Sequence, residues 1–188
     1  TGRLTVESGV LLADVVSSFL PLGWFPNVTP GTKFVTIGGM IAADVHGKNH
    51  HKHGSFGRFV DWIELMDSDG NIKRCSRNEN REQFEWTIGG MGLTGIVLRV
   101  AFRLLPVETG WVRQTIIPTT SLNKTIEFIE KSMNSTYSVA WIDCMSKGRQ
   151  LGRSLVVLGE HANIKDLLKD NAKKPYDIGK KRKFITPF

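Results

Sequence analysis

Cysteine is scarce in this sequence. Cys75 and Cys144 are the only two among 188 residues, and neither stands in a C-x-x-C pair. A disulfide framework is therefore excluded as the basis of the fold, and two thiols leave the redox compartment open. Long apolar runs are missing too. The longest, over residues 9–25, is broken by Asp14, Ser17, Ser18 and Pro21. Nothing approaches the roughly 20 consecutive apolar residues of a membrane-spanning helix. Internal repeats and low-complexity segments are absent. So is G-x-x-x-x-G-K-[ST], which removes support from a P-loop reading. Gly90-Met91-Gly92-Leu93-Thr94-Gly95 has the G-x-G-x-x-G spacing, but it is expected between a helix and a strand rather than after a strand and before a helix. A nicotinamide-Rossmann reading therefore gains no support from it.

What remains is ordinary in bulk and uneven in detail. A hydrophobic content of 40% suffices for a buried core, and the length allows one large domain or one and a fraction. The net charge is +7 at pH 7, much of it near the end: residues 165–183 carry eight Lys or Arg against three Asp. Such a run is either a solvated surface or a contact for a polyanion, phospholipid headgroup or phosphorylated substrate.

Periodicity predicts an α+β chain. A strand over residues 3–7 leads into a helix near 11–20, with Leu11, Leu12, Val15, Val16 and Phe19 on one face. Pro21, Gly23 and Pro26 end it in a loop that runs to Pro30-Gly31. A short helix is expected from Gly38 or Gly39 to Asp44. Val60–Met66 and Ile72–Ser76 read as a hairpin around Ser68-Asp69-Gly70-Asn71. Asn78 or Asn80 is placed to cap a helix through Phe84 and Trp86, with Glu79 and Glu82 in its first turn. An apolar strand from Ile96 follows and closes at Pro106. Strands at 111–117, 137–143 and 154–159 and a helix at 121–133 form a second unit, with the boundary between residues 105 and 110. The expected domains are 1–106 and 107–188. Trp62, Trp86, Trp111 and Trp141 read as core, and Asp143 is expected to pair with Arg153.

Chemistry concentrates in two places. Four of the five histidines, His46, His50, His51 and His53, fall within D-V-H-G-K-N-H-H-K-H-G-S-F-G. Two glycine segments, Thr36-Ile37-Gly38-Gly39 and Gly89-Gly90-Met91-Gly92, lie on either side of this run and the hairpin. Glycine pairs let backbone N–H groups converge on a phosphate or on the polar edge of a flat cofactor, and a helix beginning there adds its dipole. His46 and His50 have the i, i+4 spacing of a zinc site. Gly47 and Asn49 argue for a loop instead, no H-E-x-x-H is present, and Lys48 and Lys52 repel a dication. No metal is therefore expected. A solvated loop and a loop lining an organic cofactor both stay open. In the second case His46 is a hydrogen-bond donor or base, and Lys48 stabilises negative charge.

Residues 30–51, P-G-T-K-F-V-T-I-G-G-M-I-A-A-D-V-H-G-K-N-H-H, resemble the FAD-binding domain of the vanillyl-alcohol-oxidase type of flavoproteins. Within it they are similar to the branch of decaprenylphosphoryl-ribose 2-oxidases. The likeness continues through G-S-F-G at 54–57 and G-G-M-G-L-T-G-I at 89–96. It is fainter through Y-S-V-A-W-I-D at 137–143 and L-G-R-S at 151–154. The resemblance implies the second subdomain of an FAD-binding domain followed by the start of an α+β substrate domain, with the flavin ring between them. It implies that Gly31, Thr32, Thr36, Ile37, Gly38, Gly39, Ala43, Asp44, Val45, His46, Gly47, Gly92 and Ile96 line FAD. It also implies that His46, Lys48 and Asn49 face the ring and the substrate. The implied reaction is oxidation of a sugar hydroxyl by hydride transfer, as in cell wall biosynthesis, on a free or polyprenyl-phosphate-linked sugar. Membrane-surface association would follow from such a substrate. An aldonolactone or sugar-alcohol oxidase on the same scaffold is the neighbouring alternative, and a basic polyanion-binding module the non-enzymatic one, with nucleic acid disfavoured. Thr1 opens directly on a strand, and the family's glycine-rich pyrophosphate loop has no counterpart in these residues. The sequence is therefore expected to be the central piece of a longer enzyme, inactive alone. Its compartment, cytoplasmic or membrane-associated on either face, stays open.

Overall fold

The computed structural model describes residues 2–177 and is α+β, built on two antiparallel sheets. The first has the order β1 (Arg3–Glu7), β5 (Ile96–Pro106), β3 (Val60–Met66), β4 (Ile72–Ser76). Its organiser is β5, the 11-residue strand expected from the apolar run before Pro106. β5 pairs β1 on one side and β3 on the other, and Val100, Ala101 and Phe102 at its centre are fully buried. Burying a Val or Phe side chain stabilises by about 1.5–3 kcal/mol, so this strand nucleates the core. Its last residues, Leu104–Pro106, pair instead with β2 (Trp24–Pro26), a strand hidden in what the prolines made look like loop.

Helices cover the buried face of this sheet. α1 (Leu12–Phe19) buries Leu12 and Val15, and α2 (Ile37–Ala42) buries Ile37, Met40 and Ile41. α4 (Arg81–Thr87) contributes Phe84 and Thr87. Asn80 sits at the start of α4 in the left-handed region (φ 47°), but it does not cap. Its side chain donates to the Arg74 carbonyl, and Glu79 lies before the helix rather than in its first turn. The Ser76 hydroxyl accepts from the Asn78 and Glu79 amides instead.

The second sheet has the order β6 (Val112–Thr119), β8 (Ser154–His161), β7 (Tyr137–Ile142). α5 (Leu122–Lys131), capped by the Ser121 hydroxyl, packs on one face through Thr125, which bonds Thr119 and Ser154. Asp143 and Arg153 pair as expected, at 2.8 Å. Two tryptophans depart from the core assignment: Trp86 is 67% exposed and Trp141 71%. The basic run at 180–183 lies outside the described residues, and no helix among the described ones is long and apolar enough to cross a membrane.

Candidate functional site

α2 starts one or two residues earlier than its glycine pair suggests, because Thr36 caps it. The Thr36 hydroxyl accepts from the Gly39 amide at 3.1 Å. The other two leading amides are also taken: Ile37 N–H donates to Val10 O and Gly38 N–H to Ser8 O. The convergent N–H cradle expected of this glycine pair is therefore spent inside the fold. Gly38 is a packing residue, since a Cβ there would stand 2.9 Å from Ser8 Cβ. Ile37 is completely buried, so its side chain does not line a ligand.

The second glycine segment is sewn to the far end of α2. Gly89 N–H donates to Ile41 O and Met91 N–H to Ala42 O, both at 2.9 Å. Asp44 turns the chain with φ 38°, and its carboxylate accepts from Gly57 N–H at 2.8 Å. These bonds bring the two glycine segments onto one side of the first sheet. Gly31, Thr32, Thr36, Gly39, Ala43, His46, Gly92 and Ile96 are exposed, while Gly38, Asp44, Val45 and Gly47 are half-buried. Beyond Gly92, where a Cβ would meet open space, Leu93 and Ile96 also present apolar surface.

The histidine run is not wholly loop. After Gly47, residues His50–His53 close one helical turn, α3, and Gly54 at φ 73° stops it. Asn49, expected to face the substrate, is only 1% exposed. Its amide donates to Asn27 O at 2.7 Å, and Asn27 donates on to Arg103 O. Asn49 therefore ties the run to β5, and its Oδ1, buried without a hydrogen-bond partner, lies beneath Gly47. The His46 ring stacks edge-on against His50 with centroids 5.2 Å apart. His51 and Lys52 reach the second unit, bonding Ser135 O and Asn134 O at 2.8 Å each. Burial lowers the His53 pKa, helped by Lys52, Arg58 and His51. Among the described residues no three His, Cys, Asp or Glu side chains gather as a metal site.

Lys48 alone of the run enters a cleft of about 540 Å³ between the two sheets. The Lys48 carbonyl accepts from Ser138 N–H at 3.0 Å, which fixes the lysine against β7. Opposite stands the uncovered face of the second sheet. Tyr137, Val139 and Trp141 come from β7, Val112, Gln114 and Ile116 from β6, and Val157, Gly159 and His161 from β8. His161, the fifth histidine, escaped the sequence reading because it stands alone at the end of a strand, far along the chain from the other four. Only the alternation along its strand placed it on a face. Its Nε2 lies 2.9 Å from the Tyr137 hydroxyl, and Phe25 meets its ring edge-on. Burial lowers the His161 pKa, against Glu160 and with His53, and burial pushes Tyr137 up to about 12.

The exposed, glycine-opened face that precedes Lys48 leaves room for a flat cofactor. It does not fit a diphosphate, whose expected amides at α2 are already bonded. Residues 1–76 match the FAD binding domain family. The relatives say more about the branch. The chain is 39% identical to the decaprenylphosphoryl-beta-D-ribose oxidase of Mycolicibacterium smegmatis, over 89% of its own length and 37% of the relative's. It is 37% identical to an uncharacterized protein of Streptomyces coelicolor, over 87% and 44%. It is 30% identical to the L-gulonolactone oxidase of Mus musculus, over 55% and 23%. The chain thus spans less than half the length of the curated relatives it matches.

Proposed function

We propose that this chain belongs to an FAD-dependent oxidoreductase that oxidises a sugar hydroxyl, with a polyprenyl-phosphate-linked ribose as its substrate class. The observation that carries the reading is the position of Lys48. It belongs to the run that borders the proposed flavin face, and it lines the cleft closed by the second sheet. Bound FAD supplies the two-electron acceptor that no side chain provides.

The chain's own residues do the rest. Exposed Gly31, Thr32, Thr36, Gly39, Ala43, Gly92 and Ile96 offer the surface on which the cofactor rests. Asp44, Val45 and Gly47 shape it from below. His46, exposed at its margin, donates a hydrogen bond or accepts the hydroxyl proton. The Lys48 ammonium stabilises a phosphate or a developing alkoxide by charge, more strongly as the second sheet excludes water. Dividing the chain at residues 106 and 107 into a cofactor unit and a substrate unit is part of this proposal, as is encounter with the substrate at a membrane surface.

The test is reconstitution of the whole protein with FAD, followed by titration with a polyprenyl phosphoribose and with simpler sugars. The expected result is a flavin spectrum that bleaches with the phosphoribose. Absence of flavin absorbance, or of bleaching by any sugar, overturns the reading. Bleaching by aldonolactones alone transfers it to the neighbouring class, which the gulonolactone oxidase relative supports.

A further inference from the structure

The cleft wall is not uniform along its strands. In the register of the second sheet, Gln114, Gly159 and Tyr137 stand in one row across β6, β8 and β7, and His161 opposite Val112 is in the next row on the same face. Moving the other way along the strands, the rows are Ile116, Val157 and Val139, then Leu155 and Trp141. The sheet therefore presents a polar end and an apolar end. Gly159 keeps the polar end open: a Cβ there would stand 3.1 Å from Val112 Cγ1 and 3.4 Å from Tyr137 Cβ. At the apolar end Ile116 is 58% exposed and Trp141 71%, so solvent meets a bare hydrocarbon wall. Among the described residues no carboxylate lines the cleft, and Lys48 is its only full positive charge.

We propose that Gln114, Tyr137 and His161 are specificity-determining residues that dock the hydroxyl-bearing head of an amphipathic, anionic ligand, whose apolar tail runs along Ile116, Val139, Val157 and Trp141. This rests on reading the cleft as the substrate site. Tyr137 and His161 are already bonded to one another, so the pair is held in place before the ligand arrives, and the hydroxyl oxygen of Tyr137 keeps capacity for a second bond. The Gln114 amide, exposed on an edge strand, brings both a donor and an acceptor. A polar group left without its partner here costs affinity, so the three residues discriminate by presence of the hydroxyls, whereas the apolar wall contributes in proportion to tail area.

The experiment compares two probes on the FAD-loaded whole protein by calorimetry: farnesylphosphoryl-ribose and farnesyl phosphate, which lacks the sugar. Tyr137→Phe is expected to weaken the first by about tenfold, one hydrogen bond's worth, while the second stays within about twofold. Gln114→Leu, on an exposed position that the fold does not depend on, is expected to do the same and decides the matter should Tyr137→Phe fail to fold. His161→Gln, which keeps hydrogen-bonding capacity, is expected to retain most of the preference. Trp141→Ser is expected to weaken both probes equally. Equal losses for the two probes in Tyr137→Phe and Gln114→Leu, or no loss, overturn the proposal. Preference for the sugar-bearing probe without flavin bleaching would sink the proposed reaction and leave this inference standing. Bleaching with no such preference does the reverse.

Discussion

Gly38 and Asn49 show how a residue type that suggests ligand contact can serve the fold instead. Gly38 is glycine because Ser8 occupies the space a side chain would need. Gly38→Ala is therefore expected to destabilise by about 1–3 kcal/mol, in urea unfolding, equally with and without FAD. A loss confined to FAD affinity would return Gly38 to the cofactor. The two half-buried histidines set a second expectation. Burial holds His53 and His161 below the ordinary histidine pKa, so the unfolded chain takes up their protons first as pH falls. Their stabilising contribution is complete above about pH 6.5 and is lost as pH drops through the lowered folded values. The thermal midpoint should fall across that window, and His161→Gln should flatten the fall.

Among the elements, the histidine run behaves as a clasp. α3 is a single turn with no buried residue, too short to persist alone. It is held by Asn49 from below and by Ser135 and Asn134 from the second unit. Replacing Asn49 by Ala leaves the buried Asn27 carbonyl without its donor. The expected cost is about 1–3 kcal/mol in the unfolding free energy. The same change should weaken anionic ligands only through Lys48, whose backbone the clasp positions. A normal stability with abolished turnover would instead assign Asn49 to the chemistry. α2 and its cap were foreseeable from Thr36 and the apolar residues that follow. The fate of its amides was not, because their acceptors, Ser8 and Val10, lie far away in the chain.

For the molecule as a whole, β5 and the cleft matter most. β5 is paired along nearly its entire length, to β1, β3 and β2, so its central amides at Val100–Phe102 should exchange with solvent most slowly. Hydrogen exchange resolved by residue tests this, and faster exchange in β5 than in β8 would contradict it. Between the two units, the bonds include Ser138 N–H to Lys48 O, His51 to Ser135 O and Lys52 to Asn134 O.

Local pattern was enough for most of the strands, the hairpin and the longer helices. Alternation, turn residues and helical spacing act over a handful of neighbours, and they fixed Arg3–Glu7, Val60–Met66 and Ile72–Ser76 to the residue. Three outcomes depended on tertiary structure alone. Trp24–Pro26 became a strand only because β5 extends far enough to pair with it. Asn49 was buried only because Asn27, itself bonded to the Arg103 carbonyl, stands where the Asn49 amide can reach its carbonyl. His161 entered the candidate site only because β8 lies between β6 and β7 and turns that face toward Lys48. The sequence by itself determined which chemistry the chain carries. Long-range pairing decided which of those groups face the cleft, since a side chain's surroundings are set by strands that no local pattern brings together.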